Sequence, residues 1–453
     1  MNNKEKNQTL EELLKEYGES GFYGFHMPGH KRNTRLLGTM LPYNMDITEI
    51  EGFDDLHHAN GVLRQAQERG ARLYCATKTY FLVNGSTAGN LTAIMSCTKP
   101  GGQILICRNC HKSVYNAVYL QGLTPIYLYP KFDRKTLLNG EVTAQDVSLH
   151  LAQHPDVQAV VIVSPTYDGV VSDIDAIARE VHQYHIPLIV DEAHGAHFGF
   201  HEYFPANSNV RGADIVIHSL HKTLPSLTQT ALLHINGNLV DQRKIEKYLS
   251  IFQSSSPSYI LMASMDSCLN LLEHRGKELF EIYVKRVEEA RNSLKGLKHL
   301  KLIEMIHYDK SKFVISVHRT NLTSRELYQR LMTEYRLQLE MMAGTYVMAM
   351  TSIADTQEGF DRFVSAIKEI DCTLEDRSED PYLFGELPRP EMVYTSTEME
   401  NIKEQNQDSN ISSRYQYLYP PGIPIIVPGE RMTEEVQRLL TAYGEAGFTI
   451  EES

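Results

Sequence analysis

Ala213-Asp214-Ile215-Val216-Ile217-His218-Ser219-Leu220-His221-Lys222-Thr223 is the stretch that decides the fold. Residues 213–219 form a short, nearly continuous apolar run bounded by polar residues, which reads as a strand covered on both faces. The same pattern repeats outward. Upstream, 187–194 (PLIVDEAH), 157–165 (VQAVVIVSP), 124–129, 103–107 and 79–84 also read as strands. Segments 86–97, 113–122 and 173–184 between them carry helical patterns. Strands alternating with helices predict an α/β domain on a mostly parallel sheet with helices on both faces. Beyond about residue 240 the layout changes. Helices over 241–250, 269–299 and near 323–334, with strands at 312–318, 338–342 and 346–350, predict a smaller α+β domain. Residues 374–413 are polar and proline-bearing and read as a loose connection, followed by a final helix over 433–446. The expected division is an N-terminal arm over 1–60, a large domain over 61–260, a small domain over 261–380 and a C-terminal segment over 381–453.

Chemistry-bearing residues collect at the predicted strand exits. Lys222 lies just past the strand at 213–219. A lysine among apolar strand ends has its charged form disfavoured, which makes its amine nucleophilic enough for imine formation; the alternative is a solvated surface lysine. Asp191-Glu192-Ala193-His194-Gly195-Ala196-His197 closes the run at 187–190, and ligands of open α/β sheets sit beyond the carboxyl ends of strands. A carboxylate at Asp191 can pair with a ring nitrogen and keep it protonated, which in pyridoxal phosphate strengthens the electron sink. Asn84-Gly85-Ser86-Thr87-Ala88-Gly89-Asn90 stands where a strand leaves and a helix begins. Unpaired N–H groups there, with the Ser86 and Thr87 hydroxyls, suit a phosphate, and equally suit a plain helix cap. No Gly-Lys-Ser/Thr follows, and no GxGxxG follows a strand, so neither a nucleotide P-loop nor a dinucleotide fold is supported. His111 follows another strand exit and could stack on a cofactor ring or simply start a helix.

Lys and Arg number 44 against 57 Asp and Glu, a net charge of −13, which argues against a nucleic-acid partner. The N-terminal residues lack an apolar signal core, and no stretch approaches about 18 apolar residues. No membrane partner and a cytoplasmic location are therefore expected. The six cysteines are scattered and expected as free thiols. Cys107-Arg108-Asn109-Cys110 is a lone CxxC without a second pair, so no metal is expected.

Together these segments resemble the bacterial ornithine/lysine/arginine decarboxylases of the aspartate-aminotransferase-like fold. The resemblance runs from FHMPGHK (25–31) and GFDDLH (52–57) through NGSTAGN (84–90), RNCHKS (108–113) and SPTYDGV (164–170). It continues with DEAHGAH (191–197), SLHKTLPSLTQT (219–230), SSSPSY (254–259) and YPPGIPIIVPGE (419–430). It implies a PLP-dependent transferase-like (fold type I) large domain over 61–260 with a smaller α+β domain. It also implies pyridoxal 5'-phosphate as cofactor and decarboxylation of arginine, lysine or ornithine to an amine and CO2. By the same resemblance Lys222 is the Schiff-base lysine, Asp191 the pyridine-nitrogen partner and His111 the residue stacked on the ring. Gly85, Ser86, Thr87 and Ser219 then surround the phosphate, with Ser255 supplied across a homodimer interface. His221 and His194 are implied near the reacting carbon, and Glu340 and Glu430 near the substrate. The chain is similar to the short form of the family, without an N-terminal wing domain, and shared active sites in a homodimer or higher homo-oligomer are implied. It departs from the pattern at Arg32-Asn33, at Pro225 and at Cys75-Ala76, where Gly-Ala is common.

Lysine, aspartate and phosphate cradle serve equally an aminotransferase or lyase of the same fold, or a regulator that binds the cofactor without turning over. An aminotransferase would hold the α-carboxylate with an arginine of the smaller domain, for which Arg319 and Arg336 are the candidates. The full set of family segments favours decarboxylation.

Overall fold

The computed structural model describes residues 8–20, 28, 34–377, 386–402, 408, 410–418, 422–446 and 448–452. Most of the FHMPGHK segment and the start of YPPGIP lie outside the described residues. Seven strands carry the α/β part: β1 (Lys78–Leu82), β2 (Gln103–Cys107), β3 (Thr124–Leu128), β4 (Val157–Val163), β5 (Leu188–Asp191), β6 (Ile215–Ser219) and β7 (Ala231–Ile235). Every residue of β5, β6 and β7 is buried, as expected of strands packed on both faces. The chain divides into two compact units, Met1–Cys97 with Ile189–Leu279, and Thr98–Leu188 with Phe280–Ser453. The segment 61–260, expected as one large domain, contributes to both.

In the first unit the strand order is β1-β7-β6-β5. β5 and β6 are parallel, with Asp191 opposite Ile217, whereas β7 runs antiparallel to both β6 and β1. Helix α1 (Gly85–Cys97) lies close on this sheet. A Cβ on Gly89 would come within 2.8 Å of Leu82 Cδ1 and 3.0 Å of Ile217 Cγ2, so the second glycine of NGSTAGN permits that approach. The helix expected at 269–299 begins earlier, at Tyr259, and ends at Leu294. Pro257 lies two residues before its start, where a missing N–H costs nothing. A helix over Leu10–Glu19, not expected from the sequence, carries a Thr9/Glu12 capping box and hangs from Asp266, whose Oδ2 accepts the Leu10 N–H at 2.8 Å.

In the second unit β4, β2 and β3 form an all-parallel run in that order, accompanied by α2 (Lys112–Gln121) and helices Ala144–Gln153 and Ile174–His182. The α+β part has an antiparallel sheet ordered Lys301–Leu302, Lys312–Ser316, Tyr346–Met350, Met341–Ala343. Helices Ser324–Thr333 and Gln357–Asp371 follow two of its strands. Tyr308, Val314, Met341, Tyr346 and Met348 form its core. The segment read as a loose connection contains a helix, Ser396–Asn401, whose start is fixed by a Thr395/Glu398 capping box. A three-stranded sheet (Ile423–Ile426, Gln416–Leu418, Ile450–Glu452) and helix Glu434–Glu445 close the chain. Among the described residues no helix is long and apolar enough to cross a membrane.

Candidate active site

β5 ends in Asp191 and its parallel neighbour β6 ends in Ser219, so both side chains stand at carboxyl ends of adjacent strands. Asp191 is 4% exposed. Its Oδ2 accepts from Asn90 Nδ2 at 2.8 Å and its Oδ1 from the Ala193 N–H at 3.1 Å, which fixes the plane of the carboxylate. Asn90, the last residue of NGSTAGN, stands about one and a half turns into α1, which places it against the strand end.

β6 passes directly into a single helical turn, α3 (Leu220–Thr223), which carries His221 and Lys222. Lys222 Nζ lies 2.9 Å from Nε2 of His194, itself buried in the DEAHGAH turn. His221 Nδ1 donates to the Thr230 carbonyl at 2.9 Å, which makes Nε2 the lone-pair nitrogen of the neutral ring. Burial lowers the His221 pKa; the Thr230 hydrogen bond works the other way, and the Lys222 charge adds to the lowering.

α1 begins at Gly85, whose φ of +72° lies in the left-handed region that glycine tolerates. Its first turn presents Ser86 and Thr87 and contains no acidic residue. Ser86 Oγ and Ser219 Oγ are 2.6 Å apart, so the helix start closes onto the end of β6. A 13-residue helix with unpaired N–H groups, two hydroxyls and no carboxylate at its start suits a phosphate. The donor set therefore fits pyridoxal phosphate: an amine at Lys222, a buried carboxylate at Asp191 and an anion cradle at Gly85, Ser86, Thr87 and Ser219. Ser255 is exposed, between the helices Gln242–Phe252 and Tyr259–Leu294.

The remaining sequence candidates belong to the second unit. His111 is the N-cap of α2; its Nδ1 accepts from the Ser113 N–H at 3.2 Å and lies 2.9 Å from the Ser113 hydroxyl, leaving the proton on Nε2. Glu340 is exposed and accepts a hydrogen bond from the Tyr167 hydroxyl. Glu430, expected near the substrate, is fully buried, and its Oε2 pairs with Arg108 Nη2 at 3.1 Å and accepts the Val427 N–H at 2.9 Å. A carboxylate held this way ties chain segments together. Arg319 and Arg336 are exposed with φ of +61° and +54°. Cys107 and Cys110 are buried free thiols, and among the described residues no group of three or more His, Cys, Asp or Glu could hold a metal ion.

The fold is that of the PLP-dependent transferase-like (type I) α/β class. Residues 9–318 match "Orn/Lys/Arg decarboxylase, major domain" and residues 389–448 match "Orn/Lys/Arg decarboxylase, C-terminal domain". An arginine decarboxylase of Bacillus anthracis is 30% identical over 459 residues, covering 97% of this chain and 93% of that relative. An arginine decarboxylase of Bacillus subtilis (strain 168) is 30% identical over 461 residues, covering 97% and 94%. Among solved structures, the Francisella novicida lysine decarboxylase LdcF superposes with a TM-score of 0.82 at 18% identity, over 99% of this chain and 79% of that one, a likeness of fold. The chain belongs to the Orn/Lys/Arg decarboxylase family and is an amino-acid decarboxylase acting on a basic amino acid.

Proposed function

We propose that this chain decarboxylates arginine at a site that holds pyridoxal phosphate on Lys222, in a homodimer in which Ser255 of each subunit reaches the other's cofactor phosphate. The observation that carries the cofactor reading is the grouping of Lys222, His194, Asp191, Ser86 and Ser219 at the ends of two adjacent parallel strands. The arginine reading is supported by relatives of that name that align along nearly the whole of both chains.

When bound, pyridoxal phosphate supplies an electron sink for the pair released as the Cα–carboxylate bond breaks. Asp191, fixed by Asn90 and the Ala193 N–H, would keep a proton on the ring nitrogen. The start of α1 with Ser86, Thr87 and Ser219 would hold the phosphate. Lys222 would hold the cofactor covalently, and His194, 2.9 Å from its Nζ, orients that amine. Lys222 Nζ, and His221 Nε2 once it has taken up a proton, are the groups that can carry one to Cα.

The test is turnover of arginine, lysine and ornithine by protein supplied with pyridoxal phosphate, with CO2 and amine measured, alongside the visible absorption of the loaded enzyme. Amine from arginine, and a visible band absent in Lys222→Ala, are expected. Turnover of lysine or ornithine alone would move the substrate. A visible band unchanged in Lys222→Ala would remove Lys222 from its role.

A further inference from the structure

Behind the site residues lies a polar chain that belongs to none of the roles above. Glu192, immediately after Asp191, places Oε2 2.7 Å from His218 Nε2. His218 Nδ1 is 3.0 Å from His234 Nε2, and His234 Nδ1 is 2.7 Å from Thr79 Oγ1. The chain starts at the end of β5 and crosses β6, β7 and β1, the strands of the first unit, and none of its four residues is more than 2% exposed. Thr79 is directly opposite His234 in the β1–β7 register. Tyr74 covers both imidazoles, with ring centroids 4.6 and 4.8 Å away, and its hydroxyl donates to the Ala196 carbonyl at 2.6 Å. Four polar groups buried in series are justified energetically only if each is satisfied.

Donor and acceptor counting leaves this chain two arrangements that differ by one proton. With Glu192 ionised, His218 Nε2–H donates to the carboxylate, His218 Nδ1 accepts from His234 Nε2–H, and His234 Nδ1 accepts from the Thr79 hydroxyl. When one proton is taken up from water, the hydrogen between the Glu192 carboxyl and His218 Nε2 lies on either atom, each hydrogen farther along the chain moves one site toward Glu192, and the added proton restores the Thr79 hydroxyl. In either case His218 Nδ1–H becomes the donor, His234 Nε2 accepts, and His234 Nδ1–H turns to Thr79. We infer that Glu192, His218, His234 and Thr79 are a one-proton relay of positioning residues that holds Asp191 and Ser219 in place, its state read out by the tautomer of His234. This rests on the site roles of Asp191 and Ser219 given above.

The groups facing the relay are few. Glu192 meets the Ser208 N–H (3.0 Å) and hydroxyl (2.7 Å), with the charges of Arg211 and His197 nearby. His218 faces His197 and Asp191; His234 faces His218 and Tyr74; Cys268 of the long helix and Glu192 face Tyr74. Burial pushes the Glu192 carboxyl up to about 8, against Ser208, Arg211 and His197. It pushes His218 down to about 3, with His197 adding to the lowering and Asp191 opposing it. The change of state thus falls in the mildly alkaline range.

The full-length protein labelled with nitrogen-15 histidine, followed by solid-state NMR from about pH 6 to about pH 10, tests this directly, with His234 assigned by its loss in His234→Gln. The expected result is an Nδ1–H tautomer of His234 at the acid end and Nε2–H at the alkaline end. In Glu192→Gln, whose amide cannot take up the proton, the tautomer should not change with pH, and the kcat–pH profile should lose the same transition with KM kept. A His234 tautomer constant in the wild-type protein would overturn the relay, as would one that switches equally in Glu192→Gln. An even loss of kcat at all pH values in that variant would reduce these residues to packing. Because the tautomer is read without turnover, a protein that switches but decarboxylates no basic amino acid supports the relay and rejects the proposed reaction. Arginine turnover by a protein whose His234 never switches does the reverse.

Discussion

Glu192 in the first unit and Glu430 in the second are both buried glutamates, 2% and 0% exposed, and each meets a basic side chain. They differ in what that base can do. Glu430 meets Arg108, which keeps its proton under all ordinary conditions. The Arg108 guanidinium also donates to the Tyr115 hydroxyl at 2.9 Å and to the carbonyls of Pro424 and Ile425 at 2.8 and 3.0 Å, and it lies 5.2 Å from the Tyr127 ring centroid. That cluster is a fixed strut between the strand Ile423–Ile426 and the end of β2, three residues before His111. Glu192 meets an imidazole, which can be donor or acceptor at either nitrogen. The same acid in equally dry surroundings becomes structural or titratable according to whether its partner can trade a proton.

The largest expected effect lies at the strut. Arg108→Met leaves Glu430 buried without its cation, and removal of one partner from a buried pair costs about 3–5 kcal/mol. Urea unfolding should show that loss, and Arg108→Met with Glu430→Leu should return much of it, because an apolar pair of similar volume needs no compensation. A single variant as stable as the wild type would erase the distinction drawn between the two glutamates.

A smaller effect is expected at Glu192, and it depends on pH. The unfolded chain releases this proton at about pH 4.3, whereas the native carboxyl holds it up to about 8. The associated stability is present at low pH and is lost as pH rises through that upper value. His218 and His234 are both lowered by burial, so their contribution is lost only as pH falls below the ordinary imidazole range of about 6.5. Between about pH 7 and pH 8 the difference between wild type and Glu192→Gln isolates the glutamate, and the variant's stability should fall less steeply, by up to about 1.4 kcal/mol per pH unit. Parallel curves would place Glu192 with Glu430 as a fixed group.

How far these features could be read from sequence follows the range over which each is determined. The buried strands were legible because an uninterrupted Val/Ile/Leu run has one stable placement; β2 spans 103–107 as read. Lys222 and Asp191 were legible as candidates because strand ends mark ligand positions. The helices Leu10–Glu19 and Val62–Leu73 were missed because charged residues fill their outer faces and dilute the apolar stripe. The pairing of Glu430 with Arg108 had no local signal, because the two lie 322 residues apart and only tertiary packing brings them together. The relay had no local signal either: His234 sits in an apolar strand like any core residue, and its meaning comes from a cross-strand neighbour.

The smallest effect concerns Cys75. The helix Val62–Leu73 ends with the Cys75 N–H donating to the Arg72 carbonyl at 3.2 Å and the Ala76 N–H to the Ala71 carbonyl at 2.9 Å, a Schellman closure that needs a left-handed residue. Cys75 takes that position with φ of +54°. A side chain there is crowded by about 1–2 kcal/mol, and glycine gives back about 0.5–1 kcal/mol through the freer unfolded chain. Cys75→Gly should therefore raise stability by up to about 1 kcal/mol, read as a small rise in Tm. Its value lies in its neighbour, Tyr74, whose ring covers His218 and His234. If the relay is set by its own hydrogen bonds, Cys75→Gly raises Tm and leaves the His234 tautomer transition where it was. A transition that moves with the turn would mean that Tyr74 transmits backbone strain to the imidazoles, and the titratable glutamate would then depend on local packing as much as the fixed one does.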